Sequence, residues 1–341
     1  MTELIYLSGT GHNWQAARWF EEYCAQAGRP VRVTALEDFF PAAPEHEVET
    51  TFSPAAAEPE AENSPALWGL FYPVYGFSPP WLLLTRLLKF PPGGGRPVFL
   101  VNVRGAVKAG RFILWGVSGL ALWLPWLLLT LKGYRVRGAA ALEAPSNWIT
   151  AHPGADRETA EYMLTRSRPQ IEALAADLTG GRRHWQGKIF AGLPFDLLML
   201  PLSLAYLPLG RITLAKMFVA GPSCNRCGRC AEACPARAVT LRPDPYWSRN
   251  CLSCYRCLNA CPQKAIYPSH LPLLVGLAAA VAAFHLAGGG WAGGLAALAV
   301  SLAAVPALYP LIRPLARRFN LGPWTSLTLH WRGYRWWDRK P

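Results

Sequence analysis

Acidic residues are scarce in this chain. Its 341 residues include 21 Asp and Glu against 34 Lys and Arg, so the formal net charge is +13. An excess of this size predicts an anionic partner, namely nucleic acid, an anionic membrane surface or an acidic redox protein. Fifteen Trp and the long uncharged runs described below favour the membrane, and we expect no nucleic-acid partner.

Cysteine is almost absent outside one stretch. Cys24 lies in a predicted helix, where a small buried hydrophobe is the simplest interpretation, and the other eight cysteines lie between positions 224 and 261. No cysteine is therefore needed for a disulfide, and no secretory-type segment opens the sequence. Together these observations predict that the cysteine-rich region lies in a reducing cytoplasm. A Ser/His/Asp or paired-carboxylate constellation is also lacking, so cofactors must carry any chemistry.

The eight clustered cysteines repeat one pattern, C-x2-C-x2-C-x3-C-P, which closes first at Pro235 and again at Pro262. Three closely spaced thiolates bind one face of a [4Fe–4S] cubane, and the fourth reaches the other cluster. Zinc, the alternative, usually takes two C-x2-C pairs at each site. We therefore predict two clusters. The expected ligands are Cys224, Cys227, Cys230 and Cys261 for the first cluster, and Cys251, Cys254, Cys257 and Cys234 for the second.

The N-terminal part reads as strand, loop and helix. A strand at 4–7 is followed by the loop Ser8-Gly9-Thr10-Gly11-His12-Asn13 and a helix over 14–27. Such a loop presents backbone N–H groups to a phosphate. Further strands are predicted at 31–36, 67–72, 97–102 and 134–139, mostly separated by helical stretches. This alternation predicts an α/β fold with a doubly wound parallel sheet covered on both faces.

These residues resemble the flavodoxin family. Ser8 to Gly11 resemble its phosphate loop for flavin mononucleotide (FMN), and the family usually carries Ser or Thr where this chain has Asn13. The segment Pro73-Val74-Tyr75-Gly76-Phe77 resembles the loop after strand three that meets the flavin ring. The segment Asn102-Val103-Arg104-Gly105 resembles the loop after strand four. The resemblance implies an FMN site formed by these three segments, and a flavodoxin-like domain without flavin remains the alternative.

With the cysteine motifs downstream, the chain resembles the flavodoxin–ferredoxin fusion proteins of anaerobic bacteria and archaea over 1–140 and 222–267. The following organisation is predicted. The first domain is a flavodoxin-like FMN domain at 1–179, with a flexible insertion at 41–66. It is followed by an apolar connector at 180–221 and by a small α+β ferredoxin domain with two [4Fe–4S] clusters at 222–267. The chain then continues as a transmembrane helical hairpin at 268–312 and a basic, aromatic cytoplasmic tail at 313–341.

Two uncharged runs lie upstream of the hairpin. Residues 112–131 are long enough to span a bilayer, but a crossing there would separate the last two predicted strands. This run is therefore either a sheet-covering helix or one that dips its Trp-rich face into the membrane. Residues 197–210 are too short to span and form either an interfacial or a core connector.

The hairpin prediction rests on the absence of Asp, Glu, Lys and Arg from 265–312. A glycine-rich turn at 288–294 divides this run into candidate helices near 271–289 and 292–312. A transmembrane hairpin is the natural interpretation, with a hydrophobic core hairpin as the alternative. Arginines follow at 313, 317 and 318, so both ends should face the cytoplasm. The Trp- and Arg-rich tail then suits interfacial anchoring.

Together these features predict a cytoplasmic-membrane flavoprotein that moves electrons between FMN and two clusters. One hypothesis is an oxidoreductase acting on a hydrophobic, membrane-dissolved substrate such as a quinone or an unsaturated lipid, with a soluble low-potential electron donor or acceptor. The other is a carrier or adaptor that docks a soluble donor to a membrane redox complex and has no substrate of its own.

Overall fold

The computed structural model describes residues 1–39, 67–109, 112–148 and 155–326. The chain divides into two compact units, Met1–Pro145 with Glu158–Ser203, and Ser146–Arg157 with Leu204–Pro341. The insertion predicted at 41–66 and residues 327–341 of the tail lie outside the described residues.

The first unit is a sheet with helices between its strands. Its strands are β1 Thr2–Tyr6, β2 Val31–Ala35, β3 Leu67–Pro73, β4 Pro97–Ala109, β5 Phe112–Leu114, β6 Arg135–Pro145 and β7 His184–Trp185. Its helices are α1 His12–Gln26, α2 Leu36–Phe39, α3 Trp81–Lys89, α4 Leu120–Leu131, α5 Arg157–Thr179, α6 Gly187–Ala191 and α7 Leu193–Leu198. Residues 184–198 of the predicted connector thus belong to this unit.

The strand order is β2-β1-β3-β4-β6-β7, and β5 pairs with β4 off this path. Every pairing along the path is parallel, whereas β5 is antiparallel. The first five strands on the path reproduce the flavodoxin-like order 2-1-3-4-5. The predicted α/β flavodoxin-like sheet is therefore confirmed.

A glycine in β3 makes the close packing of this sheet possible. A Cβ on Gly69 would lie 2.3 Å from the Phe99 ring and 2.8 Å from Leu4. Phe99 uses this space and stacks on Phe20 of α1, with ring centroids 5.0 Å apart and planes at 16°. The same helix buries Cys24 completely, and burial raises the pKa of this thiol to about 11, as expected of an inert core cysteine.

Two predictions of local structure need correction. Residues 102–105, predicted to be a loop, lie inside β4, because β4 stays paired with β6 through Ala106. Residues 112–131 are not one continuous helix. They form β5, a connection ending at Gly119 with φ 55°, and then α4. Since α4 buries Leu122 and Leu129 and packs on β4 and β6, it covers the sheet.

The second unit contains small sheets and longer helices. Its elements are α8 Leu200–Ile212, which begins in the first unit, a 3-10 turn at Leu214–Lys216, β8 Phe218–Ala220, α9 Arg229–Glu232, β9 Val239–Arg242, β10 Asp244–Trp247, α10 Arg256–Ala260, β11 Ile266–Pro268, α11 Leu271–Leu286, α12 Gly290–Arg318 and α13 Leu321–Trp324. Antiparallel pairs β8–β11 and β9–β10 give the predicted small α+β arrangement. Phe218 stacks on the fully buried Trp247 at its centre.

The two apolar helices pack closely against each other. A Cβ on Gly276 of α11 would lie 2.6 Å from Val305 of α12. Helix α12 is long and apolar enough to cross a membrane, whereas α11, with 16 residues, is shorter than the roughly 20 residues of a typical span. Only α12 therefore meets the length and composition of a membrane-spanning helix within the described ranges.

Candidate cofactor sites

The three segments predicted to hold FMN lie at one edge of the sheet. The Leu7 amide, just after β1, donates to Phe71 O of β3 at 2.8 Å, and the Val74 amide donates to Val103 O of β4 at 2.9 Å. Adjacent parallel strands thus bring 8–13, 73–77 and 102–105 side by side. The carboxyl edge is where open α/β sheets bind ligands.

The loop after β1 leaves the N-terminus of α1 open to an anion. Gly11 precedes the helix with φ 90°, and no side chain caps it. Its own amide donates to Ser8 Oγ at 3.0 Å, which folds the loop back on itself. A helix N-terminus carries partial positive charge and free N–H groups, both favourable to a phosphate.

His12 adds no positive charge to this loop. Burial lowers the pKa of its imidazole to about 4, so the ring is neutral near pH 7. Its Nδ1 lies 3.3 Å from Thr10 Oγ1. A phosphate here would therefore be held by backbone N–H groups and the helix dipole.

Three buried side chains near this edge carry polar atoms with no partner among the described residues. These atoms are Asn13 Oδ1, both amide atoms of Asn102 and the Tyr72 hydroxyl. Tyr72 and Asn102 are fully buried and are register partners on β3 and β4. Each such orphan costs about 1–3 kcal/mol, which a ligand with several hydrogen-bonding groups could recover. The edge therefore fits a polar cofactor such as FMN.

The segment after β3 forms a tight turn. Tyr75 and Ser78 exchange two backbone hydrogen bonds of 3.0 Å. Between them Gly76 and Phe77 adopt φ values of 55° and 60°, the left-handed pair of a type I′ turn. A left-handed non-glycine residue is uncommon, and the Ser203 hydroxyl holds Phe77 by donating to its carbonyl at 2.9 Å. Phe77 is partly exposed whereas Tyr75 is buried, so Phe77 is the more accessible ring.

Arg104, predicted to lie in the site, is already engaged by protein groups. Its Nε and Nη2 donate to Glu143 Oε1 at 3.0 and 2.7 Å, and Nη1 donates to Ser118 Oγ at 3.4 Å. Lys188 donates to the second oxygen of Glu143, and burial lowers the pKa of Lys188 against the opposing effect of that carboxylate. This buried network fixes the ends of β4 and β6. Sequence reasoning missed Glu143 because it lies 39 positions from Arg104.

The cysteines line two separate cavities in the second unit. One cavity is lined by Cys224, Cys227, Cys230 and Cys261, and the other by Cys251, Cys254, Cys257 and Cys234. The fourth cysteine of each motif thus lies with the first three of the other. Short helices α9 and α10 turn the chain between the third and fourth cysteine of each motif. Four thiols around each cavity are the donor set that a [4Fe–4S] cluster requires.

Hydrogen bonds to sulfur repeat between the motifs. The Ala238 amide donates to Cys234 Sγ at 3.2 Å, and the Ala265 amide donates to Cys261 Sγ at 3.3 Å. The second cavity has two additional donors. Trp247 Nε1 lies 3.4 Å from Cys257 Sγ, and the Ser253 amide lies 3.4 Å from Cys251 Sγ. Such contacts stabilise negative charge on the sulfurs and help to set the potential of a bound cluster.

The second cavity is also the more enclosed. Its three motif cysteines are buried, whereas Cys227 of the first cavity is exposed. Burial raises the pKa of Cys254 to about 12 and that of Cys230 to about 11. Thiolates at these positions therefore need the compensating charge of bound iron.

A buried lysine accompanies the second cavity. Lys216 is 4% exposed, donates to Trp247 O and lies 4.7 Å from the Tyr246 ring centroid. Burial lowers its pKa to about 8, against the opposing effect of Cys251. Nothing local in the sequence signals the burial of this lysine.

Comparison with known proteins agrees with the metal-binding chemistry of the second unit. Residues 223–266 match the family described as a 4Fe-4S dicluster domain. The predicted 4Fe–4S binding of this region is thereby confirmed. No curated protein matches the chain.

Solved structures of flavodoxins and of an azoreductase are similar to part of the chain. The reduced flavodoxin of Megasphaera elsdenii shares 18% identity and covers 41% of this chain and 85% of its own, with a TM-score of 0.26. Oxidised flavodoxin 1 of Bacillus cereus shares 12% sequence identity, and the match covers 50% of this chain and 96% of the flavodoxin, with a TM-score of 0.27. An azoreductase of Bacillus anthracis shares 14% sequence identity, and the match covers 51% of this chain and 99% of the azoreductase, with a TM-score of 0.32. The fold of the first unit is assigned from its strand order.

Proposed function

We propose that this chain is a membrane-anchored iron–sulfur flavoprotein that reduces a hydrophobic, membrane-dissolved substrate such as a quinone or an unsaturated lipid. The observation that carries the proposal is the presence of two four-thiol cavities on a chain that also has a flavodoxin-order sheet. FMN exchanges electrons in pairs whereas each cluster carries one at a time, so the combination couples two-electron to one-electron transfer.

The residues of the first unit would hold and orient FMN. The open N-terminus of α1 would bind the phosphate, and the partly exposed Phe77 ring would be available to stack on the flavin. The orphaned amide of Asn102 offers hydrogen bonds without a net charge. Arg104 serves mainly to hold β4 against β6 through Glu143.

The cysteines of each cavity would hold one cluster, with Cys234 and Cys261 each serving the cluster of the other motif. The surroundings differ, since the second cavity has buried thiols, the Trp247 donor and the Lys216 charge. Both the donor and the positive charge favour extra negative charge on a bound cluster. We therefore infer that Trp247 and Lys216 each raise the potential of the second cluster.

Membrane attachment is supported by the exposed surfaces of α11 and α12. Leu277, Trp291 and Leu295 are 60%, 93% and 68% exposed, an apolar surface that water does not favour. The C-terminal end of α12 is fastened to the cluster domain. Arg313 Nη1 donates to Asp244 O at 2.7 Å, and Arg317 Nη2 donates to Cys224 O at 3.1 Å. An anchored α12 would therefore keep the clusters at the membrane surface, on the cytoplasmic side if the arginines remain inside.

The test is turnover by the full chain in liposomes. Protein purified and reconstituted without oxygen would receive electrons from a soluble low-potential donor, with a membrane-dissolved quinone as the acceptor. The proposal predicts quinone reduction that requires both the clusters and FMN. Reduction of the clusters without turnover of any quinone or unsaturated lipid would instead support the carrier or adaptor function.

A further inference from the structure

The segment 189–202 of the first unit has its polarity reversed. In α7 the charged Asp196 is buried, whereas Phe195, Leu197 and Leu198 are 61%, 60% and 67% exposed. A helix on a water-facing surface normally buries the apolar side chains and exposes the charged ones. This arrangement therefore suits a surface that meets an apolar surrounding.

Polar contacts on the inner side hold the segment in place. Asp196 Oδ1 accepts from the amides of Ser118 and Gly119 at 3.0 and 2.7 Å, and Oδ2 accepts from Trp123 Nε1 at 3.1 Å. Seven residues further on, the buried Ser203 accepts at its carbonyl from Ser78 Oγ at 2.7 Å. The segment that carries the exposed apolar side chains is thus held to the rest of the first unit by hydrogen bonds on its buried side.

The composition of the exposed side indicates which partner covers it. Apart from the buried Asp196, residues 189–202 carry no side chain that can form a hydrogen bond other than weakly through Met sulfur. Protein–protein interfaces normally include a polar rim and about one hydrogen bond per 100–200 Å², which these side chains cannot supply. A lipid acyl region requires none.

Basic residues stand just upstream of this apolar run. Arg182 and Arg183 are exposed, with Arg182 paired to Asp177 on the upstream side, and no exposed acidic side chain lies between them and Ser203. Arginines beside an apolar surface are attracted to anionic headgroups. This charge pattern matches an anionic bilayer surface.

We propose that residues 189–202 form a monotopic membrane contact of the first unit, with Phe190, Phe195, Leu197, Leu198 and Leu202 entering the headgroup–acyl boundary. The contact belongs to the first unit alone and does not require that α12 span the membrane. It would hold the flavodoxin-like unit at the bilayer, independently of the anchor of the second unit.

The experiment places a photoreactive benzoylphenylalanine at Phe195 or at Leu198 of the full chain. The protein is reconstituted in nanodiscs of phosphatidylcholine and phosphatidylglycerol and irradiated, and adducts are identified by mass spectrometry. The matched control is the same probe at Leu88, an apolar position of the first unit that is 61% exposed but lies beside Lys89 on α3. We expect lipid adducts at 195 and 198 severalfold above those at 88.

Two results would overturn the proposal. Lipid adducts at 195 and 198 no more frequent than at 88 would show that this surface does not enter the bilayer. Adducts to a second copy of the chain or to another protein would assign the surface to protein association instead. Alkaline extraction of the same membranes tests α12 separately, so failure of the anchor and failure of this contact are distinguishable.

Discussion

Removing the Asp196 carboxylate should loosen the attachment of α7 to the first unit. The carboxylate accepts three hydrogen bonds, of 3.0, 2.7 and 3.1 Å, in a position that is 5% exposed. Substitution D196A leaves the buried amides of Ser118 and Gly119 and the half-buried Trp123 N–H without their acceptor. Each buried donor left unsatisfied costs about 1–3 kcal/mol. Water that enters the space left by the side chain offsets part of this cost. We therefore expect the free energy that holds α7 against residues 118 and 119 to fall by about 3–5 kcal/mol.

Hydrogen–deuterium exchange measures this loss where it occurs. Because each 1.4 kcal/mol is a factor of ten, protection of the Ser118 and Gly119 amides should fall by about 10²-fold to about 4 × 10³-fold. The control is D177A, which removes a solvated carboxylate that pairs with Arg182 and His184 and should leave the 118–119 peptide unchanged. Unaltered protection in D196A would refute the role assigned to this carboxylate.

Three further predictions concern the cofactors. Substitution C234S should impair the cluster of the second cavity, and substitution C261S should impair the cluster of the first cavity. The two variants should therefore lose different electron paramagnetic resonance signals, and loss of the same signal in both would contradict the crossed arrangement. The double substitution T10A and N13A should lower FMN content while both clusters assemble, and full FMN occupancy would show that these two side chains do not hold the cofactor. Substitution K216M should lower the potential of the cluster in the second cavity in a redox titration and leave the potential of the other cluster unchanged. Equal shifts of both potentials, or no shift, would show that Lys216 does not set the potential of this cluster.

The sequence predicted those features that depend on local spacing. The cysteine motifs fix which thiols can share a cluster, because a short helical turn separates the third and fourth cysteine of each. The strand positions followed from apolar runs, since parallel strands buried on both faces are nearly continuous in hydrophobic residues.

Features that depend on distant partners were not predictable in this way. The extension of β4 beyond Asn102 results from pairing with β6, which begins 33 positions later at Arg135. The burial of Asp196 has no local signal, because its donors lie 73–78 positions away. Lys216 is likewise buried by contacts with residues 246 and 247. In each case the decisive contact is tertiary.

The most direct test of the account is the cofactor content of the full chain, purified in detergent without oxygen. Iron, acid-labile sulfide and flavin would be quantified beside an optical spectrum. Two [4Fe–4S] clusters and one FMN predict about eight iron, about eight sulfide and about one flavin per chain. Zinc with little iron would contradict the cluster assignment, and full iron with no flavin would contradict the proposed flavoprotein.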